Sequence, residues 1–456
     1  MASTLIHFIG IGGIGVSALA KYFLAKGYSV SGSDLKSSEI TEELAGLGAK
    51  IMIGAHDSSH VSYHTDRVIY TAATPEENPE LQEAKKRNID VKTYAEAVGE
   101  LTREYTTITI SGAHGKSTTT ALCALILEEG YYDPTVIVGT KLKEFGNSNF
   151  RKGKSKFLVL EADEYNRSFL NYSPVIAAIT NIDAEHLDTY KTVAGVEKAF
   201  EEYLARVPAE GAIVANKDDV RTRKVAKKFG KRVLWYSMSQ PEARTIRNIL
   251  KIPGEHNVSN ALCALTIGRA TGVHEPAILK AISQFRGAWR RFEFKGILNG
   301  AFIFSDYGHH PAEISATLAA ARNRFPFRRI WCVYQPHQYT RLAYLWDDFV
   351  GAFDMADKVL LLPVYDVAGR ETENAKREVN SVALAHALLQ RGKNSWHTHS
   401  FAHAAYFIRT EIRAGDVALM MGAGDIYDFT EELIASSFKE PHTAYRNKKL
   451  STGAVV

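Results

Sequence analysis

The stretch that decides the fold is TITISGAHGKSTTT, residues 107–120, in which a β-branched run leads into a glycine loop and a run of threonines. The first run favours a strand, and the threonines can open a helix. The loop between them has the parts of a phosphate site: backbone N–H groups, a lysine for the terminal phosphates and a hydroxyl for Mg²⁺. It is shorter than the common G-x-x-x-x-G-K-[ST] pattern, but this chemistry is intact. We therefore predict that ATP is bound by Gly112, Ala113, His114, Gly115, Lys116, Ser117 and Thr118.

Acidic residues follow two of the apolar strands predicted downstream. The segment VLEADEYNRSF, residues 159–169, places Glu161, Asp163 and Glu164 at a strand end. The segment TNIDAEHLDTY, residues 180–190, places a second group of acidic residues, with His186 among them, at the end of the next predicted strand. Open α/β sheets bind ligands at the carboxyl ends of their strands, and Mg²⁺ prefers oxygen ligands. A histidine in such a cluster is more often a surface residue, but a phosphate loop and two acidic strand ends favour a metal site.

A second glycine-rich loop, FIGIGGIG, stands near the N-terminus at residues 8–15. It matches G-x-G-x-x-G between a predicted strand and a predicted helix, where free N–H groups and the helix dipole favour a pyrophosphate. Asp34 ends the next strand, 19 residues after Gly15, where an acidic residue can meet a ribose hydroxyl. The motif predicts a nucleotide but not which one, and a purely structural turn is the alternative.

Length and composition exclude several classes of protein. At 456 residues the chain is too long for one core, and about 100 to 200 residues per domain suggests two to four domains. The net charge of +4 is too small to indicate a nucleic-acid or membrane-surface partner. The three cysteines lack metal-type spacing, and no signal peptide or membrane-spanning run is evident, so we expect a cytoplasmic protein.

Strand-like runs alternate with amphipathic stretches along the whole chain, which predicts an α/β fold with parallel sheets. We expect three domains: a Rossmann-like domain over residues 1–105, a central P-loop ATPase-type parallel sheet over residues 106–290, and a second Rossmann-like domain over residues 291–456. An NAD-dependent oxidoreductase is one interpretation of the first loop. Hydride transfer, however, has no need of the Lys-Ser loop and the acidic cluster, so two different nucleotides are the simpler inference.

In combination these motifs closely resemble the Mur ligase family, and the resemblance covers essentially the whole chain. FIGIGGIGVSALA, AHGKSTT, PGEHNVSNAL, SDYGHHPAEI, YQPHQYTR and MGAGDI stand in the order that the family has. The resemblance implies that ATP and Mg²⁺ activate the lactyl carboxylate of UDP-N-acetylmuramate as an acyl phosphate, which the amine of L-alanine then attacks. It implies small-molecule partners, no nucleic acid or membrane, and a monomer or weak homodimer.

The resemblance also implies roles for individual residues. Lys116, Glu161 and His186 match catalytic positions, and Ser117, Glu161 and His186 match the metal site. Asn260, Arg291 and Asp306 match groups that contact ATP. The UDP-sugar site is implied at Gly10, Gly12, Gly13, Ile14, Gly15, Ser33 and Asp34. Tyr307, His309, His310 and Arg341 are implied to surround the amino acid.

The chain departs from the family pattern at a few positions. Ala113 and Ser117 stand where threonine is usual, and Gln338 where arginine is usual; serine keeps the hydroxyl, whereas Gln338 leaves more to Arg341. The segment between Met238 and Ile252 is also shorter than usual. Two further interpretations remain open beside the oxidoreductase: a related ligase that attaches a recycled tripeptide, and a catalytically silent nucleotide sensor. YGHHP, residues 307–311, has its own alternative, a strand-to-helix turn with surface histidines.

Overall fold

A computed structural model describes residues 4–366 and 379–436. The chain divides into two compact units, residues 1–289 and residues 290–456. The first unit contains two sheets and the second contains one. These three sheets are predominantly parallel and carry helices between their strands, which confirms the predicted α/β fold class.

The first sheet is entirely parallel and has the order β3-β2-β1-β4-β5. Its strands are β1 Leu5–Ile9, β2 Ser29–Asp34, β3 Lys50–Ile53, β4 Arg67–Tyr70 and β5 Asp90–Thr93. Its helices are α1 Ile14–Ala25, α2 Glu39–Gly46, α3 Pro79–Lys86 and α4 Tyr94–Thr102. The strand order reverses beside β1, so a crevice forms at the carboxyl ends of the strands there.

The second sheet has the order β12-β11-β10-β6-β9-β7-β8. Its strands are β6 Thr106–Ser111, β7 Thr135–Leu142, β8 Ser148–Arg151, β9 Phe157–Glu161, β10 Ile176–Ile179, β11 Ala212–Asn216 and β12 Val233–Tyr236. Its helices are α5 Lys116–Glu129, α6 Leu187–Tyr190, α7 Val193–Leu204, α8 Val220–Ala226, α9 Glu242–Ile249, α10 Glu255–Ala270 and α11 Glu275–Gln284. The edge strand β8 is antiparallel to β7, and the sequence did not predict this strand. Helix α9 occupies the short segment between Met238 and Ile252 and buries Ala243 and Ile246.

The third sheet has the order β13-β14-β18-β15-β16-β17. Its strands are β13 Glu293–Leu298, β14 Ala301–Asp306, β15 Ile330–Tyr334, β16 Lys358–Leu361, β17 Asn394–His397 and β18 Val417–Met421. Its helices are α12 Pro311–Arg324, α13 Tyr339–Tyr344, α14 Trp346–Gly351, α15 Ser381–Gln390, α16 Phe401–Glu411 and α17 Ile426–Ala435. β13 and β14 form a hairpin whose turn residues Asn299 and Gly300 both have positive φ, as a type I′ turn requires.

A buried lysine joins the first two sheets. Lys21 on α1 is buried, and its ammonium donates to Asn149 Oδ1 at 2.8 Å and Ser148 Oγ at 3.1 Å on β8, and to Glu43 at 2.5 Å. Burial lowers the pKa of Lys21, and the three acceptors supply the hydrogen bonds that a buried ammonium needs. Gly99 on α4 also lies so close to the segment between β9 and β10 that a Cβ there would meet the Asn171 carbonyl oxygen at 2.5 Å. The two sheets therefore pack as one unit.

Within the described residues, we find no helix with the length and apolar character needed to cross a membrane.

Candidate functional site

The loop between β6 and α5 has the geometry of a phosphate site. Gly112 and Gly115 have φ of +135° and +83°, and Gly115 precedes the first residue of α5 without a capping side chain. The end of β10 holds the loop, because Ala113 N–H donates to the Asn181 carbonyl at 3.2 Å and His114 N–H donates to Asn181 Oδ1 at 2.8 Å. The first turn of α5 thus presents N–H groups and a positive dipole end.

Both glycines of this loop are sterically required. A Cβ on Gly112 would lie 2.2 Å from Thr180 Oγ1, and a Cβ on Gly115 would lie 2.2 Å from Asn260 Oδ1. Asn260 lies on α10 and is buried, so the structure places this predicted ATP-contacting residue beside the phosphate loop. A Cβ at either position therefore fits only if a neighbouring side chain shifts, and the positive φ of both residues adds strain for any residue other than glycine.

Lys116, the first residue of α5, is paired with a buried glutamate. Its Nζ donates to the two carboxylate oxygens of Glu164 at 3.0 and 3.1 Å and to the Gly112 carbonyl at 2.7 Å. The side chains are 14% and 2% exposed. Burial by itself would lower the pKa of Lys116, but Glu164 and neighbouring carboxylates outweigh it and raise that pKa, so the lysine keeps its charge. Burial raises the pKa of Glu164 to about 7, against the opposing effect of Lys116.

Ser117 and Glu161 form an oxygen-rich pair at the end of β9. Ser117 Oγ donates to Glu161 Oε1 at 2.9 Å, and the Gly139 N–H donates to Glu161 Oε2 at 2.7 Å. Burial raises the pKa of the Glu161 carboxyl. A hydroxyl and a carboxylate at the mouth of a phosphate loop are the ligands that Mg²⁺ prefers, so these residues fit that ion. Thr118 lies buried in the same helical turn.

His186 belongs to a neighbouring group rather than to the Ser117–Glu161 pair. Ligand atoms of Asp163, Glu164 and His186 all lie within 4.8 Å of one another, and His186 Nε2 is 3.8 Å from Glu164 Oε1. His186 has a φ of +55°, an uncommon conformation for a histidine. The three predicted metal ligands are thus divided between two adjacent clusters. Sequence reasoning noticed Glu164 as part of an acidic strand end but did not choose it as a site residue.

The N-terminal glycine loop lines a cleft of about 720 Å³ in the first sheet. Among the predicted residues, Gly10, Gly12, Gly13 and Asp34 line this cleft. The Asp34 carboxylate accepts the Gly12 N–H at 2.8 Å, so it fixes the loop in addition to facing the cleft.

The other residues predicted for the UDP-sugar site are not among those that line this cleft. Ile14 begins α1, and Gly15 packs on the ring of Tyr94. Ser33 is fully buried and donates to Glu80. No sequence motif indicated His56, which also lines the cleft.

In the second unit the predicted residues gather at the carboxyl ends of β14 and β15. Asp306 is buried and accepts the N–H groups of Phe292 and Gly308, both at 2.8 Å, and burial raises its pKa. The Arg291 guanidinium lies 5.2 Å from the ring centre of Tyr307. The ring of Tyr307 in turn is 5.3 Å from that of His309.

His310 and Arg341 complete this group. His310 caps α12, where its Nδ1 accepts the Ala312 N–H at 3.3 Å. Arg341 Nη1 lies 3.5 Å from His337 Nδ1, and the rings of His337 and His309 are 5.8 Å apart. The YGHHP segment therefore forms a strand-to-helix turn, and the side chain of His310 caps the helix that follows it. Sequence reasoning missed Arg290, whose guanidinium lies about 5 Å from the rings of both Tyr307 and Tyr427.

The site of the first unit can bind an anionic phosphate ester together with a divalent cation. Backbone N–H groups, a charged lysine and a hydroxyl–carboxylate pair converge at one helix N-terminus, where they can neutralise a transferring phosphoryl group. The glycine-lined cleft offers a second nucleotide site on the neighbouring sheet of the same unit.

Three family models match the chain in succession. They are "Mur ligase family, catalytic domain" over residues 5–106, "Mur ligase middle domain" over residues 110–268, and "Mur ligase, glutamate ligase domain" over residues 290–424. The UDP-N-acetylmuramate–L-alanine ligase of Clostridium acetobutylicum is 38% identical, over 95% of this chain and 98% of that protein.

Solved structures give a consistent result. The UDP-N-acetylmuramate-alanine ligase of Thermotoga maritima superposes with a TM-score of 0.79 at 26% identity, covering 94% of this chain and 98% of that one. A murein peptide ligase of Psychrobacter arcticus shares the fold, with a TM-score of 0.71 at 21% identity over 96% of this chain and all of that one. By sequence and by fold, the chain belongs to the Mur ligase family.

Proposed function

We propose that this protein is an ATP-dependent ligase that joins L-alanine to the lactyl carboxylate of UDP-N-acetylmuramate, a step of peptidoglycan precursor synthesis. One observation carries the proposal: 38% identity, over 95% of the chain, to a ligase of that name. The phosphate loop with its charged lysine supports it. The related tripeptide ligase is less favoured, since the murein peptide ligase structure shares only 21% identity. Because the reaction consumes ATP, we place it in the cytoplasm.

We assign the nucleotide sites to separate domains. Residues 1–105 would hold the uridine diphosphate of the sugar substrate at Gly10, Gly12, Gly13 and Asp34. Residues 106–290 would hold ATP, and residues 291–456 would bring the amino acid. Two phosphate-binding loops are then needed because two phosphate-bearing substrates must react with each other.

The chemistry starts from a carboxylate that is a poor electrophile at neutral pH. Its oxygen attacks the γ-phosphate of ATP, giving ADP and an acyl phosphate, and the amine of L-alanine then displaces phosphate to form the amide. Mg²⁺, when bound, would neutralise charge on the phosphates. Lys116 would stabilise the negative charge of the transferring phosphoryl group, and the N–H groups at Gly115 and the start of α5 would fix its position.

Further residues would orient the reactants. Ser117 and Glu161 would hold the metal ion, and His186, in the adjacent acidic cluster, would support a second ion or the acyl phosphate. Asn260 would contact ATP beside the loop. In the last domain Arg291 and Asp306 would reach the nucleotide, and Tyr307, His309, His310 and Arg341 would surround the amino acid.

The test is phosphate release from ATP with Mg²⁺, UDP-N-acetylmuramate and one acceptor at a time: L-alanine, L-serine, glycine or the tripeptide. We expect release with L-alanine, and mass spectrometry should detect the sugar nucleotide extended by one alanine. The preference over glycine should be about 10- to 200-fold, because one methyl group in a pocket contributes about 1–3 kcal/mol.

Each rival predicts a different result in this assay. A preference for the tripeptide would indicate the recycling ligase. No release with any acceptor would favour a nucleotide sensor. NADH turnover without phosphate release would favour an oxidoreductase.

A further inference from the structure

A buried carboxylate in the first sheet is surrounded by three histidines. Glu80 is 0% exposed, and its Oε1 lies 2.8 Å from His56 Nδ1 and 3.0 Å from His60 Nδ1. Its Oε2 lies 2.8 Å from His7 Nε2 and accepts from Ser33 Oγ at 2.7 Å. Burial by itself raises the pKa of Glu80, but these hydrogen bonds outweigh it and lower the pKa to about 2. The Glu80 carboxylate therefore stays ionised.

Several elements fix this carboxylate in place. Glu80 lies in the first turn of α3, where its N–H donates to Asn78 Oδ1 at 3.0 Å. His7 on β1 is also fully buried, and its other ring nitrogen lies 2.9 Å from Ser31 Oγ. A charged, fully buried glutamate is costly to a fold, and the reactions assigned above do not use it.

His56 connects this cluster to the glycine-lined cleft. Its Nδ1 contacts Glu80, whereas its side chain, 19% exposed, lines the cleft together with Gly10, Gly12 and Gly13. The two nitrogens lie on different sides of an imidazole ring, so a ring held through Nδ1 has Nε2 available for a second partner. His60 contacts the same Glu80 oxygen and is 20% exposed, but it is not among the cleft-lining residues of the described chain.

We propose that His56 is a phosphate-binding residue of this cleft, and that Glu80 is the positioning residue that holds its imidazole ring directed at the nucleotide. The proposal rests on the proposed function, in which this cleft takes a uridine diphosphate. A carboxylate on one side and a phosphate on the other both favour the imidazolium form, which donates from both nitrogens. The fixed charge of Glu80 thus acts on the diphosphate through His56.

Other charged groups act on the same cleft. Asp34, Lys36 and Glu77 line it with His56, so the two carboxylates oppose an anionic ligand and Lys36 favours one. Ser33 Oγ lies 3.1 Å from His56 Nδ1, and His7 and His60 share the Glu80 carboxylate. His56 is thus the group that links the buried charge with the cleft.

The experiment is isothermal titration of the full-length protein with UDP and, separately, with uridine, under one fixed buffer condition. The variants are His56→Gln, the matched control His60→Gln, and Glu80→Gln. We expect His56→Gln to weaken UDP binding by about 10-fold or more while changing uridine binding by less than about 2-fold. His60→Gln should stay within about 2-fold of wild type for both ligands.

A double variant separates positioning from a merely structural role. Glu80→Gln should weaken UDP binding in the wild-type background and have no further effect in His56→Gln, because Glu80 acts on UDP only through His56; a further loss in the double variant, or no loss in the single one, would refute the positioning role. If Glu80→Gln does not fold, as judged by circular dichroism, the comparison of His56→Gln with His60→Gln decides.

Three outcomes would overturn the inference. They are equal UDP affinity in His56→Gln and wild type, equal weakening in both histidine variants, or equal loss of UDP and uridine binding. A wild-type protein that binds neither UDP nor UDP-N-acetylmuramate would instead refute the proposed function.

Discussion

Replacing Lys116 by methionine should make the stability of the protein depend on pH in a way that the wild type does not. The ammonium lies 3.0 Å from a Glu164 carboxylate that is 2% exposed. Removing one partner of a buried ion pair costs about 3–5 kcal/mol when the remaining charge stays ionised. Glu164 can avoid this cost by binding a proton, because burial already raises its pKa from 4.5 to about 7 with the lysine present.

The sign of the effect follows from proton linkage. A carboxyl whose folded-state pKa is raised stabilises the fold fully below its unfolded pKa, and this contribution is lost as the pH rises through the folded pKa. In the wild type that loss is half-way to its end near pH 7 and is nearly complete at about pH 8. In Lys116→Met the pKa of Glu164 rises further, so stability keeps falling above pH 7 by about 1.4 kcal/mol per pH unit. The difference between variant and wild type should therefore grow from about pH 7 to about pH 8 and be nearly constant below about pH 6.

The assay is urea unfolding followed by circular dichroism at a series of pH values, with EDTA present to exclude metal ions. Lys116→Met combined with Glu164→Gln should lose the extra slope, because no carboxyl remains to titrate. Lys85→Met, which breaks the exposed pair with Glu76, should change the stability little and by the same amount at every pH, because solvent screens that pair. The reasoning is refuted if Lys116→Met and wild type differ by the same amount at about pH 7 and about pH 8.

Two further predictions concern the loop and the metal ligands. Gly115→Ala should destabilise the protein more than Gly146→Ala, because Gly146 has a similar positive φ but no neighbour within 4 Å. Gly146→Ala should cost about 1–2 kcal/mol. Adding Asn260→Ala to Gly115→Ala should recover part of the difference in thermal unfolding, and equal losses in the two glycine variants would exclude the clash. Glu161→Gln should raise the Mg²⁺ concentration for half-maximal phosphate release by about 10-fold or more, because the substitution removes an anionic ligand. Substitution of an exposed glutamate, Glu128→Gln, should leave that Mg²⁺ concentration unchanged. An unchanged Mg²⁺ concentration in Glu161→Gln would exclude Glu161 from the metal site.

The phosphate loop could be predicted from sequence because its parts are local. Gly112, Gly115, Lys116 and Ser117 lie within six consecutive positions, and a strand, a tight turn and a helix N-terminus bring them together wherever the domain folds. The α/β class follows in the same way from the alternation of strand-like and helical stretches. The edge strands β8 and β17 were not predicted because their short, polar sequences carry no apolar pattern.

The partners of these groups were decided by tertiary structure alone. Glu164 meets Lys116 across 48 positions of sequence, and Asp34 turns toward the Gly12 N–H instead of facing only the cleft. The contact of Glu80 with His7 spans 73 positions. Pairs of this kind depend on which strands become neighbours in a sheet and on how deeply each side chain is buried. Local sequence therefore determined which chemical groups the protein has, and the packing of distant segments decided which of them are charged, paired or directed at a ligand.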